Sequence, residues 1–501
     1  MSDFLETPYL EMPGAVWLRG NLHAHSTRSD GALDPQEVID AYAACGHDFL
    51  ALSDHDLPAD YTGLDPRGMI LVPAFEITKN GEHVVAVGCR SPIEPSADRQ
   101  AVVDAISAAG GIAVLGHPNW EADFDHFPLA RMAALSGYAG IEVYNGGILE
   151  GPGSTLATDK WDLLLAGNPR VRGFATDDSH ILSNVGRGWI GVRAAERSLD
   201  ALIAGIAAGS FYASSGVIIE QVAVTGSRLV ITAPGAEAIA VIGPHGRRLA
   251  GVEAPELIYN VRGCEYPFFR VECVGRAGRM AWTQPFTVGA RERERREQLM
   301  AERPVLRAGR AAQAPPPDEP LDGPAWRTAA WTDCFLASRT AEAPPVRTEL
   351  GVLVAGGRIH VAFRCEEPEM NRLRSRVQEH GRPTLWADDG VEVFLDVGGA
   401  GQRYFQILAN SAGFAHASER TGPDAETGRT LAVQTRPGRW ARGWTLVLAV
   451  SLADLGAGGA PGTRWGFNAV RNRTPHPEHF SWSYTGRSNH APGRFGWLEF
   501  A

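Results

Sequence analysis

Lysine is almost missing from this 501-residue chain: Lys79 and Lys160 are the only two among its 47 basic residues, the rest being arginine. With a formal net charge of −11, that argues against a general binder of phosphate backbones, so bulk nucleic acid is not expected as a partner. Long apolar runs are missing too. No stretch approaches the roughly 18 residues that cross a bilayer, and the acidic start, Met1 to Glu11, lacks the basic-then-apolar plan of a secretory signal. A soluble, cytoplasmic protein with no membrane partner is expected. Cysteine is sparse and scattered: Cys45, Cys89, Cys264, Cys273, Cys334 and Cys365 form no C-x-x-C pair, which excludes a zinc knuckle and a disulfide framework. Cys264 and Cys273 fall where they would face each other across a hairpin, but a reducing compartment favours thiols over a disulfide.

What is present is apolar material for several cores. A hydrophobic content of 44% over this length predicts two to four domains. From Ala15 to about Ser215, short apolar runs such as Phe49–Ser53, Ile112–Gly116 and Gly140–Tyr144 alternate with segments of helical period, Pro35–Cys45 and Ala101–Ala109. That pattern predicts an α/β barrel or doubly wound sheet. Near Gly216 the period changes to two, in Val222–Val224, Leu229–Ile231 and Phe268–Glu272, which predicts a small antiparallel β domain over 216–290. The charged run from Arg291 and the Pro315-Pro316-Pro317 stretch predict an interdomain linker over 291–321. Beyond it, Ile359–Phe363, Val391–Leu395, Tyr404–Ile407 and Trp444–Leu448 predict a β-sandwich over 322–501.

Metal-ligating side chains recur through the first 180 residues, just after the apolar runs. His23 and His25 lie two apart in a β-like run, so both imidazoles leave one face. Asp30 follows in a turn, Asp54-His55-Asp56 and His117 each follow an apolar run, Glu76 follows Leu71–Phe75, and His83 sits beside another. Asp178 and His180 repeat the i, i+2 spacing. Each alone has an ordinary explanation, a turn aspartate or a core histidine. Their coincidence at strand ends, where barrel enzymes place their chemistry, predicts a site for two or three divalent cations. Nitrogen and oxygen donors without thiolate suit Zn, Mn or Fe.

Asn21-Leu22-His23-Ala24-His25-Ser26, Ser53-Asp54-His55-Asp56, the Glu76 and His83 pair, Gly116-His117-Pro118 and Asp178-Ser179-His180 resemble the motifs of the PHP (polymerase and histidinol phosphatase) family over residues 15–215. The resemblance implies a distorted (β/α)7 barrel over 1–215. It also implies His23, His25, Glu76 and Asp178 on a first metal, and Glu76 bridging to a second held by His83 and His117. Asp30, His55 and His180 would hold a third. Asp177 and Asp178 leave the choice of aspartate ambiguous by one, and Asp178 is preferred because it restores the D-x-H spacing. The segments Arg270–Cys273 and Ala281–Pro285 resemble a short β appendage found in stand-alone metallohydrolases of this family.

Clustered cations bring the pKa of a bound water near neutrality and neutralise charge on a phosphoryl or carbonyl oxygen. A metal-dependent hydrolase acting on a small-molecule ester is therefore expected. A phosphoester, either a monoester or a diester, is preferred over a carboxyl or carbamate ester; a sugar-binding protein with a non-catalytic barrel is the remaining alternative. Asp54, Asp56 and Asp177 are candidate proton-transfer or supporting groups. Arg28, Lys79 and Arg187 are candidate cations for an anionic substrate. Glu142 matches a family-like strand end with no assigned role. In the last domain, Trp386–Asp396, Tyr404–Gln406, Trp465–Asn468 and Phe495–Trp497 resemble the family-9-like carbohydrate-binding β-sandwich. That resemblance implies a possible glycan partner stacked on exposed rings, with Trp386, Trp440 and Trp482 as candidates, unless the module has become structural.

Overall fold

The computed structural model describes residues 4–500 apart from 12, 263, 424, 457, 475, 477 and 487. The chain divides into two compact units, one of residues 1–261 and 266–290, the other of 262–265 and 291–501.

The first unit is built on two sheets. In one, the strand Val16–Asn21 pairs in parallel with Phe49–Leu50, which pairs in parallel with Ile70–Leu71. The other runs Ala74–Ile77, Val84–Val87, Ile112–Leu115, Gly140–Asn145, Arg172–Thr176. Its last two junctions are parallel, whereas Val84–Val87 is antiparallel to both neighbours. Fully apolar strands such as Val84–Val87 and Ile112–Leu115 are buried throughout, as expected of strands covered on both faces. Helices Pro35–Ala44, Arg99–Ala108, Thr158–Gly167 and Leu199–Ala208 supply the covering layers. The first begins where Asp34 accepts from the backbone of Gln36 and Glu37, with Glu37 returning the bond and Pro35 at the first helical position. Phe75, Val103, Leu115, Val143, Trp161 and Leu165 lie in one buried cluster; Leu18, Phe49, Val85, Val114 and Ile190 lie in another.

Residues 216–261 and 266–290 join this unit. Met280–Thr283 pairs with Phe211–Ser214, which continues through Trp189–Ala194 to Val16–Asn21. Three further strands, Gln221–Thr225, Arg228–Thr232 and Glu256–Asn260, make a separate small sheet.

The second unit is a two-sheet β structure. Gly390–Asp396, Tyr404–Asn410, Ala415–Gly422 and Arg464–Arg473 make up most of one layer; Thr348–Ala355, Arg358–Glu366, Gly443–Ser451 and Val433–Trp440 form the other. Leu350, Val352, Phe363, Val393, Ile407, Leu446 and Phe467 pack between them. The stretch expected to be a linker, 291–321, is partly structured. Ala290–Ala301 is a helix, and Val305–Arg310 is a strand paired in parallel with Gly496–Phe500 and, at its end, with Thr348–Ala355. Alternation explains the strand: Leu306 and Ala308 are buried while Val305 and Arg307 are exposed. Trp482, expected as a candidate sugar-stacking ring, is only 4% exposed and packs edge-on to Phe467 in the core. Its place in the buried cluster follows from Glu478–Ser481 pairing with Arg464–Arg473, a register continued by the Trp482 N–H to the Ala469 carbonyl, a tertiary fact that exposed-ring reasoning misses. No disulfide forms among the described residues.

Candidate metal centre

Strand direction gathers the site. His23 and His25 follow Val16–Asn21, Asp54 and His55 follow Phe49–Leu50, His117 follows Ile112–Leu115, and Asp178 follows Arg172–Thr176. His83 instead precedes its strand. Because Val84–Val87 runs opposite to its neighbours, its N-terminal end lies with their C-terminal ends, and His83 joins the others. Glu76 sits within Ala74–Ile77, linked to His55 by a parallel bridge. Two of the donors, His117 (φ +25°) and Asp178 (φ +48°), have left-handed backbone, strain of the kind that concentrates at functional sites.

Glu76 is the hub. Its Oε1 lies 3.0 Å from His83 Nδ1, 3.1 Å from His117 Nε2 and 3.5 Å from His23 Nε2. Its Oε2 lies 2.9 Å from His55 Nδ1 and 3.6 Å from His25 Nε2. Asp178 Oδ1 approaches His25 Nε2 at 3.0 Å and His23 Nε2 at 3.2 Å, and those two nitrogens are 3.1 Å apart. At the mouth, Asp30 Oδ2 lies 3.2 Å from His55 Nε2 and 3.4 Å from His180 Nε2. All nine expected donors therefore converge, and Asp178, not Asp177, faces the cluster. Most of them line a cavity of about 190 Å³ together with Trp120, Gly147 and Ile148.

This arrangement does not satisfy itself. The Asp178, His23 and His25 atoms form a near-equilateral triangle, and hydrogen bonds can serve two of its edges but not all three. His23 Nδ1 donates to Glu142 Oε1 at 2.7 Å, so in the neutral ring the Nε2 lone pair is turned towards His25 Nε2. Glu76 Oε2 and His55 Nδ1 are 2.9 Å apart but not aligned as a hydrogen bond, and His117 Nδ1 is buried without a hydrogen-bond partner, a costly state for polar atoms. Edges of 3.0–3.2 Å are those of adjacent ligands around a cation bound at about 2.1 Å. The donor set, imidazole and carboxylate without thiolate, suits a divalent cation.

Electrostatics agree. Burial alone would raise the carboxyls of Glu76 and Asp178, but the surrounding imidazoles hold both well below the usual carboxylate range. Burial opposes a charged His23, yet Asp178, Glu142 and Glu76 outweigh it and raise its pKa. The cluster is an anionic well that attracts protons where a cation is not bound.

The supporting residues are distinct. Glu142, buried, accepts from His23, from Thr176 Oγ1 at 2.7 Å, from the His117 backbone at 2.7 Å and from Asn145 Nδ2 at 2.8 Å. It fixes the tautomer and angle of His23, the usual service of a carboxylate behind a ligating imidazole. Asp54 accepts from the Ser26 backbone and from the hydroxyls of Ser26 and Ser29, pinning the turn that carries Asp30. Asp56 holds Thr78. Asp177 accepts from the Gly186 and Gly188 backbone, and burial pushes its carboxyl up to about 6 against those bonds. The three candidate cations are elsewhere. Arg28 binds the Asp60 carbonyl, Lys79 is 72% exposed beside Asp56, and Arg187 binds the Gly146 carbonyl and Glu150.

Two participants escaped the sequence reading. His126 packs between His83 and His117 at ring distances of 4.7 and 4.8 Å; its Nε2 accepts from the His83 backbone. Burial, with His117 and His83 adding to it, holds its pKa down to about 3, so it stays neutral. Lys160 Nζ donates to the carbonyls of Pro118, Phe124 and Phe127, and so ties down the loop that carries Trp120 and His126. Only the presence of His126 in an otherwise ligand-bearing stretch would have hinted at either.

No family model matches the chain. Over 84 residues it is 38% identical to the 3′,5′-nucleoside bisphosphate phosphatase of Chromobacterium violaceum, a match that takes in 15% of this chain and 29% of that protein. The chain thus spans less than a third of that relative's length. Among solved structures, a two-domain protein from Bacteroides vulgatus containing a predicted PHP-like metal-dependent phosphoesterase is similar over 50% of this chain and 85% of that one, at 18% identity and a TM-score of 0.35. A family 9 carbohydrate-binding module from Caldicellulosiruptor kristjanssonii, in complex with glucose, is similar over 39% of this chain and 95% of that one, at 15% identity and a TM-score of 0.30.

Proposed function

We propose that the first unit is a metal-dependent phosphoesterase. The observation that carries this reading is the Glu76-centred cluster, whose donors crowd one another at ligand spacing with no protein group to neutralise them all. We assign His23, His25, Glu76 and Asp178 to one cation, Glu76, His83 and His117 to a second, and Asp30, His55 and His180 to a third, with the two sheets read as one distorted (β/α)7 barrel. When bound, such cations supply an ionised water near neutral pH and offset charge developing on phosphoryl oxygen. The chain's own groups provide the frame. Glu142 orients His23, Asp54 and Ser29 set the Asp30 turn, and Lys160 holds Trp120 at the cavity wall. The half-exposed mouth at Asp30, His55 and His180 is the entry for an anionic group. The C. violaceum relative, a phosphatase by name, supports a phosphoester over a carboxyl or carbamate ester.

The test is a parallel assay of the metal-loaded protein with p-nitrophenyl phosphate, its bis-ester, thymidine monophosphate esters and p-nitrophenyl acetate, with metal content measured on the same preparation. Turnover of a phosphoester that disappears on chelation and returns with Mn or Zn is expected. Turnover of the acetate alone would move the reading to carboxyl esters, and a protein inactive under every metal would end it.

A glycan-binding role for the second unit rests on a different observation. Trp386 is 59% exposed, and its short helical turn, Pro383–Ala387, packs on the sheet that carries a polar row of Glu392, Gln406 and Asn472. Glycan-array binding that survives chelation and falls in Trp386→Ala is expected; equal binding by the variant would remove the role.

A further inference from the structure

A second cavity in the first unit, of about 670 Å³, is lined by three arginines, Arg19, Arg187 and Arg279, and by Tyr144, Trp189 and Trp282. It adjoins the metal centre through the turn Gly146–Glu150: Gly147 and Ile148 line the metal cavity, while Leu149 lines this one. The three guanidiniums are not equivalent. Arg187 is already matched by Glu150. Among the described residues, Arg19 and Arg279 have no carboxylate at ion-pair distance and no hydrogen bond from their guanidinium groups. Arg19 lies flat on Trp189, its guanidinium carbon 3.7 Å from the ring centroid, with Nε buried and unpaired. Trp282 Nε1, on the same cavity, is also buried without a partner. Arg279 is held over the cavity by the fit of its stem on Gly216, where an added Cβ would meet Arg279 Cδ at 2.5 Å.

Two guanidiniums without an ion-pair partner on one cavity, in a chain of net charge −11, make its wall positive, with Asp177 and Asp48 acting on Arg19 only from beyond ion-pair distance. Buried donors left unpaired carry a desolvation cost that an acceptor-rich ligand removes. A dianion with several acceptor oxygens fits both the charge and the kind of donor, since guanidinium pairs with phosphate through parallel N–H bonds. We infer that this cavity binds a small organic phosphate, its phosphoryl oxygens on Arg19 and Arg279 and its carbon skeleton against the Tyr144 side of the wall. The site is separate from the metal centre and does not depend on the phosphoesterase reading.

The experiment is calorimetric titration of the full chain, chelated so that the metal centre takes no part, with phenyl phosphate, inorganic phosphate and phenol in separate arms. Phenyl phosphate is expected to bind more tightly than inorganic phosphate, and phenol not to bind. Arg19→Gln and Arg279→Gln are each expected to weaken phenyl phosphate roughly tenfold or more, the loss of one charge-assisted pair. Arg279 is exposed, so its variant keeps the fold should the Arg19 variant not, and its metal content should match that of the parent. Failure of the chelated protein to bind phenyl phosphate, or equal affinity in Arg279→Gln, would overturn the proposal. Equal affinity for inorganic phosphate would overturn its organic half.

Discussion

Two buried polar clusters, one in each unit, differ in how they close. In the second unit, Glu392 Oε2 takes a hydrogen bond from Gln406 Nε2 and Oε1 one from Asn472 Nδ2, both at 2.8 Å, and Asn472 Oδ1 takes one from His479 Nδ1 at 2.7 Å. Glu367 likewise accepts from Arg473 Nε at 2.7 Å and Nη2 at 2.9 Å, and from Arg471 Nη2 at 3.2 Å. Each carboxylate oxygen there has a donor of its own. In the first unit, Glu76 faces five imidazoles, and two imidazole nitrogens, His23 Nε2 and His25 Nε2, face one another at 3.1 Å. A buried polar network that is satisfied from within rigidifies a fold. One that crowds acceptors together is complete only with charge from outside. Both carboxylate hubs, Glu76 and Glu392, are buried; donor–acceptor matching is what separates the candidate metal centre from a structural network.

The sharpest way to break this comparison is Asp178→Ala. It should abolish metal retention and lower phosphoester turnover by more than about 100-fold, beyond what outer partners of metal ligands command. The melting temperature of the chelated protein should change little. Metal analysis and calorimetry on one preparation check both. The mirror experiment is Glu367→Ala, which strands two guanidiniums in the sandwich. It should cost about 3–5 kcal/mol in denaturant unfolding and leave metal content and turnover unaltered. An intermediate case is Glu142→Gln, which keeps the shape but loses the charge behind His23. Metal affinity should fall about ten- to hundredfold, read by competition with a chelating dye. If Glu142→Gln and Asp178→Ala lose metal equally, the division between ligand and support is wrong.

Most of the cluster was legible because ligand spacing survives in sequence. The i, i+2 pairs at His23/His25 and Asp178/His180 and the strand-end positions of His55 and His117 can all be read from local pattern. What was not legible depends on chain direction and on which atom a side chain reaches. Asp54 and Asp56 flank His55, yet one turns back to Ser26 and the other to Thr78. Arg187 is spent on Glu150. Glu142 could be noticed as a strand-end carboxylate, but its service to His23 requires knowing that Gly140–Asn145 ends beside Val16–Asn21's own loop. At fold level, short apolar runs such as Ile112–Gly116 identified strands of the first unit, and period-two alternation identified those after Gly216. A run of charge and proline, by contrast, hid the paired strand Val305–Arg310, because composition outweighs a six-residue pattern.

His47 offers a smaller and separate measure of the first unit, away from either cluster. It is 5% exposed and lies edge-on to Tyr42, and neither ring nitrogen has a hydrogen-bond partner. Burial, assisted by the charge of Arg19, holds its pKa down to about 3 from 6.5. The folded state therefore keeps His47 neutral, while the unfolded chain takes up a proton below pH 6.5. Stability from this group is fully present above 6.5 and is lost as pH falls towards 3, by ~2 kcal/mol at pH 5. His47→Phe, which cannot protonate, should show a shallower loss of unfolding free energy between pH 7 and 5 than the parent. Both proteins should be chelated, so that proton competition at the metal centre does not enter. Parallel pH profiles would mean that His47 is protonated in the folded state, and that the ring is less enclosed than its packing against Tyr42 requires.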